Sequence, residues 1–290
     1  MEGFNRKDFS ASKAIVVLAS GLLMGLFVVA FISQLLCSIA GLDQLNLMRV
    51  ATALQNVIMF MLPAVAVGVL FGGGKPMQFM RLSKAPSLKA VVGILVIYVV
   101  MTPAMDWLVA WNESITLPES LRGIEEWMRQ QEETAQAATN MLLSGTSVAD
   151  LLITVVSVGV LTGLGEEMFF RGALQRICID GMRRRHLAVW TAAFVFSALH
   201  FQFFGFVPRL MLGVFFGYAY LWSGSLWVPV IGHALNNSMV VAATWMNGGN
   251  VSDNAAVNPW LAAVSAVATV ALLYAYRRIL TAKPSDNGQH

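Results

Sequence analysis

Three short polar intrusions interrupt otherwise apolar sequence. The first holds Glu166, Glu167 and Arg171, the second has His200 four residues after Phe196, and the third has His233 four residues before Asn237. Ionisable side chains inside apolar runs are costly to bury and usually mark function. A carboxylate beside imidazoles can take a proton from water. Imidazole and amide N–H groups can hold the negative charge that develops on a carbonyl oxygen. Together these are the parts needed to hydrolyse an amide. Glu166, His200 and His233 are also acceptable zinc ligands, and a metal could activate the water instead. The chain lacks a His-Glu-x-x-His helix, the common zinc-protease pattern. The residues leave both routes open, and no ion is specified.

Spacing assigns the polar residues to helix faces. Glu167 and Arg171 are four apart, so they share a face and can pair. Pairing lowers the cost of burying both charges. Glu166 is rotated by about 100° and points elsewhere. His233 and Asn237 also share a face, with Asn236 off it.

The elements that must carry these residues are membrane helices. The chain has 290 residues, 57% hydrophobic and 12% charged, with mean hydropathy +0.66. A soluble domain carries about 25% charged residues, so the composition excludes one and implies an all-α, polytopic membrane helix bundle. Counting runs of about 20 mostly apolar residues gives eight spans. They cover 14–40, 50–71, 88–111, 148–179, 187–203, 207–222, 226–245 and 259–276. The first exceeds the roughly 7–15-residue core of a signal peptide and reads as a retained membrane helix. The organisation is therefore three helices plus an extramembrane amphipathic segment (1–147), a four-helix core (148–245), and a last helix with its tail (246–290). The net charge of +3 lies at helix ends and calls for no nucleic-acid partner. Cys37 and Cys178 sit in apolar runs and read as small hydrophobes, not as a disulfide or zinc framework.

Arg6, Lys7 and Lys13, then Lys75, Arg81, Lys84 and Lys89, then Arg183, Arg184 and Arg185, then Arg277, Arg278 and Lys283 all fall on one side of an eight-span chain. The positive-inside rule makes that side, and both termini, cytoplasmic in a multi-pass protein of the cell membrane. Helix rise then sets heights above that face: about 20 Å for Glu166 and His200, about 12 Å for His233 and about 18 Å for Asn237. Three distant runs thus present polar groups at similar depth. The segment 113–146 lies opposite. Its helical periodicity fits an amphipathic helix on the membrane surface, or a lid over the site. Gln55 and Asn56 read as interhelical hydrogen-bonding glue. His186, beside three arginines, reads as a solvated loop residue.

The ordered set Glu-Glu-x-x-x-Arg (166–171), Phe-x-x-x-His (196–200) and His-x-x-x-Asn (233–237) resembles the CPBP intramembrane protease family. That family, also called ABI, includes the type II CAAX prenyl endopeptidases, and the resemblance covers 148–245. It implies that Glu166 is the general base, that His200 holds the water, and that His233 and Asn237 stabilise the oxyanion. Glu167 and Arg171 would hold the site together, and Phe196 would pack near His200. The expected activity is endopeptidase action on a membrane-associated protein or peptide, with the lipid bilayer as the other partner. The family is described both as metalloproteases and as glutamate-dependent proteases. The reading leans to the metal-independent form and leaves zinc or another divalent ion uncommitted. The rival is a non-proteolytic scaffold or bacteriocin-immunity-type protein on the same fold.

Overall fold

Apolar runs joined by short polar links fold into helices in the computed structural model, which describes residues 10–39, 41–249 and 258–282. Arg6, Lys7, Lys283 and the 284–290 tail lie outside those residues. Nine main helices and no strand occur among the described residues: α1 (Ala11–Ile39), α2 (Gln44–Phe71), α3 (Leu88–Glu113), α4 (Arg122–Leu143), α5 (Val148–Met182), α6 (Arg185–Ala198), α7 (Phe206–Ser223), α8 (Trp227–Met246) and α9 (Pro259–Thr281). Single turns at Pro76–Phe79 and Glu119–Leu121 lie in the connections.

Their ends follow local chemistry. Ser87 accepts the Ala90 N–H at the start of α3, and Ser147 with Asp150 forms a capping box on α5. Asn258 caps α9, with Pro259 at its first position. Arg183, at φ 55°, ends α5, and α6 starts two residues later. Gly224, at φ 66°, ends α7 in the left-handed conformation that glycine adopts without Cβ strain.

Five helices, α1, α2, α3, α5 and α9, are long and apolar enough to cross a membrane. The protein is a multi-pass membrane helix bundle. The eight expected spans reduce to five by this measure, and the physical reason lies in α6–α8. Helix α6 has 14 residues, about 21 Å against a hydrocarbon core of about 30 Å. Helix α7 carries Arg209, and α8 carries His233, Asn236 and Asn237, which dilute their apolar character. Helix α6 also ends at Ala198, so His200 lies in the connection to α7 and not inside a span reaching 203.

Helix α5 is the centre of the bundle and packs on α1, α2, α6, α7 and α8, while α9 lies on α3 and α7. One apolar core joins α1, α2, α5 and α6 through Leu18, Phe60, Phe170 and Phe196; another joins α3, α7 and α9 through Ile94, Phe216 and Tyr276. Two stretches of α5, Val155–Leu161 and Met168–Gln175, are wound as π-helix and flank Glu166 and Glu167. Such widened turns are rare and concentrate at functional sites.

Helix α7 meets α5 and α6 through glycines four residues apart. Gly213 accepts from Arg171 Nη2 at 3.1 Å, and Gly217 accepts from Gln175 Nε2 at 3.1 Å. Small residues at this spacing let membrane helices approach closely. A Cβ on Gly217 would lie 2.8 Å from Val189 Cγ1 and 2.9 Å from Gln175 Oε1. Gly217→Ala is therefore expected to cost about 1–3 kcal/mol through overpacking, read as a lower melting temperature of the purified protein.

Helix α4 bears charges over its first half, from Arg122 to Glu133, and is not among the spanning helices. The Glu125 carboxylate accepts the Leu117 N–H at 2.8 Å and pairs with Arg129 at 2.6 Å. The backbone N–H first, then the guanidinium, hold Glu125 below the ordinary carboxylate range. A depressed carboxyl pKa stabilises the fold above the unfolded value, and that contribution fades as pH falls through the folded one. Protection of the Leu117 amide against hydrogen exchange is expected to drop on acidification, and Glu125→Gln is expected to lower it at neutral pH.

Candidate active site

The buried stripe of α5 runs through Glu167, Arg171 and Gln175, each fully or almost fully shielded. Glu167 Oε1 accepts from Arg171 Nη1 at 2.6 Å and from His233 Nδ1 at 2.8 Å. The ion pair expected from spacing thus also holds an imidazole. A carboxylate can only accept, so Nδ1 of His233 carries a proton. Its Nε2 then faces Glu166, 3.7 Å from Oε2, beyond hydrogen-bond length.

His200 follows the last turn of α6, and its Nδ1 lies 2.7 Å from the Phe196 carbonyl oxygen. A carbonyl only accepts, so Nδ1 donates and a neutral ring keeps its lone pair on Nε2. Phe196 packs edge-on against His200 at 5.0 Å and His233 at 6.0 Å, beneath the Arg171 guanidinium at 4.8 Å. Phe216 stacks on His233 at 5.1 Å. Both imidazoles are therefore held by an acceptor at one nitrogen and by rings on their faces.

On α8, Asn237 Nδ2 donates to the Val158 carbonyl of α5 at 3.2 Å, and its Oδ1 accepts from Asn236 at 3.0 Å. Tyr98 of α3 donates to Asn236 Oδ1 at 3.0 Å. Asn56 of α2 donates to Thr162 Oγ1 at 2.9 Å, an interhelical bond of the expected kind, whereas Gln55 is exposed.

Glu166, His200, His233 and Asn237 line one cavity of about 320 Å³. Glu167 and Arg171 lie behind it. Sequence reasoning passed over Arg209 and set Asn236 off the shared face; both also line it, together with Thr139, Leu142 and Leu143 of α4. Arg209 was findable as a lone cation in an apolar run. Gln175 was findable as the next four-residue step after Arg171. The periodicity of 113–146 left a surface helix and a lid over the site both open, because the position of α4 depends on pairing across the fold. Glu132 of α4 accepts the Phe204 N–H at 3.2 Å and a Gln202 amide proton at 3.3 Å. Gln202 in turn accepts from Arg209 at 2.8 Å, and Trp127 packs on Phe203 at 5.3 Å. Asn112 of α3 holds the same connection through the Phe203 carbonyl and the Val207 N–H. Helix α4 therefore clamps the loop that starts with His200, and its last turn walls the cavity.

Among the described residues, no group of three or more His, Cys, Asp or Glu side chains is gathered closely enough to hold a metal ion. Glu166, His200 and His233 share the cavity without converging on one point.

Residues 148–239 match the family described as type II CAAX prenyl endopeptidase Rce1-like. The likeness to the Rce1-like family covers this stretch, about a third of the chain. It starts with α5, ends within α8 and contains all seven residues singled out by spacing. A protein of Bacillus subtilis (strain 168), described as uncharacterized protein YpbD, is 32% identical over 83 residues. That match covers 27% of this chain and 39% of the Bacillus protein, so the chain spans well under half of that relative. No solved structure gives a significant match.

Proposed function

We propose that the protein is an intramembrane endopeptidase that hydrolyses a peptide bond of a membrane-associated protein or peptide. The observation that carries this reading is the shared cavity: a carboxylate, two imidazoles of fixed orientation and a carboxamide line one shielded space. The Rce1-like stretch around them supports a CAAX-type protease.

Glu166 is the base. It takes a proton from a water that His200 also holds, through the Nε2 left free by the Phe196 bond. The hydroxide oxygen attacks the peptide carbonyl carbon, and the carbonyl oxygen becomes the oxyanion. Asn237 donates to it from the amide proton not used on Val158. His233 can donate from Nε2 only as the imidazolium, because its Nδ1 proton is committed to Glu167. When the tetrahedral intermediate collapses, the proton on Glu166 passes to the leaving amine. Glu167 is a positioning residue for His233, and Arg171 holds the Glu167 carboxylate in place through their ion pair.

The arginine-rich face is assigned to the cytoplasm, with both termini there and the bilayer around the bundle, by the distribution of loop cations. The test compares peptide termini in membranes and medium from cells carrying the wild type or Glu166→Gln at matched abundance. A terminus found only with the wild type is expected and names the scissile bond. Identical termini, with a phenotype that survives Glu166→Gln, would overturn the reading in favour of a scaffold.

A further inference from the structure

A second and larger space lies on the opposite face of α7 from the candidate active site. It is a slot of about 700 Å³ between α3, α7 and α9. Along α9 its wall runs from Pro259 to Arg277, a rise of about 27 Å of helix, which nearly matches a hydrocarbon core of about 30 Å. Ala262, Ala263 and Ala266 keep α9 thin there, and Trp107 and Trp222 border the slot. Only one end is polar. It holds Arg277 and His186, the latter with Nδ1 2.9 Å from the Tyr218 hydroxyl. Both are exposed, and among the described residues no carboxylate pairs with Arg277. The adjoining Arg183, Arg184 and Arg185 add positive charge and are also exposed.

We infer that this slot binds an anionic phospholipid, with the acyl chain along α9 and the phosphate-bearing headgroup at Arg277 and His186. Size decides between occupants. A helix of the same length and about 10 Å diameter would fill roughly 2000 Å³, three times the space, whereas an acyl chain is thin enough. Charge decides the headgroup: basic pockets between membrane helices select acidic lipid heads. His186 is then an interfacial group facing lipid phosphate, not a plain loop residue. The inference does not depend on the proposed proteolysis.

The test is native mass spectrometry of the full chain released from nanodiscs of equimolar phosphatidylcholine and phosphatidylglycerol. One phosphatidylglycerol is expected to stay bound in clear excess over phosphatidylcholine. Arg277→Gln is expected to abolish that preference, and Arg183→Gln, outside the slot, to keep it. Ala263→Trp, which fills the slot and leaves the cations in place, is expected to lose the lipid itself. Equal retention of both lipids, a preference that survives Arg277→Gln, or a lipid-free dimer would overturn the proposal. The Arg277 comparison decides the outcome if Ala263→Trp fails to fold.

Discussion

Purified protein carrying Glu166→Gln is expected to cleave peptide about a hundred- to ten-thousand-fold more slowly than the wild type, the usual weight of a general base. Its melting temperature is expected to stay unchanged. The two halves of this result have separate causes. Glu166 is 7% exposed, and its carboxylate has no close ion pair, the nearest cationic candidate being His233 Nε2 at 3.7 Å. Glutamine keeps the shape and accepts hydrogen bonds, so the fold loses little. It cannot take a proton from water at neutral pH, so the chemical step loses its base and slows. Asn237→Ala should slow turnover by about a hundred- to a thousand-fold through loss of one oxyanion donor. Full turnover by Glu166→Gln would remove Glu166 as the base and with it the proposed mechanism.

Arg171→Met is expected to destabilise the bundle by about 3–5 kcal/mol, the cost of leaving a buried charge without its partner. The side chain is 1% exposed and the Glu167 carboxylate 0%. Its removal also breaks the bond to the Gly213 carbonyl and takes the cation from above Phe196. Thermal melting in detergent measures the loss. Arg171→Lys should rescue it only partly, because a single ammonium cannot reproduce the planar fork that reaches both Glu167 and Gly213. The double variant Glu167→Gln with Arg171→Met removes both charges. It should melt close to the wild type while staying far less active, because the carboxylate that orients the His233 ring through Nδ1 is gone. A double variant that regains stability and activity together would reduce the Glu167–Arg171 pair to a purely structural role.

Part of the site was legible because a helix converts sequence spacing into geometry. Glu167 and Arg171, at i and i+4, had to share a face, and they pair at 2.6 Å. The same rule missed a second partner. Nothing in the spacing of α5 says that His233, 66 positions away, donates to the same oxygen. Asn236 was read as pointing off the face of His233 and Asn237. It lines the cavity because Tyr98 of α3 and Asn237 both bond its amide. The count of eight spans is met by five helices on length and composition, and the difference lies where hydropathy blends with polar side chains. Helix α6 is short because it stops before His200, and α7 and α8 are less apolar because they carry Arg209, His233 and Asn237.

Composition and periodicity by themselves determined an all-helical membrane bundle and the three polar runs, because the cost of burying charge in apolar surroundings leaves such residues few explanations. The tertiary structure alone decided which nitrogen of each imidazole is free, since that depends on the acceptor another segment supplies: the Glu167 carboxylate for His233 and the Phe196 carbonyl for His200. It also decided that α4 walls the cavity and that α3, α7 and α9 leave a slot behind it. Those are consequences of how helices pack across long sequence separations, where shape and hydrogen-bond satisfaction act together and local pattern is silent.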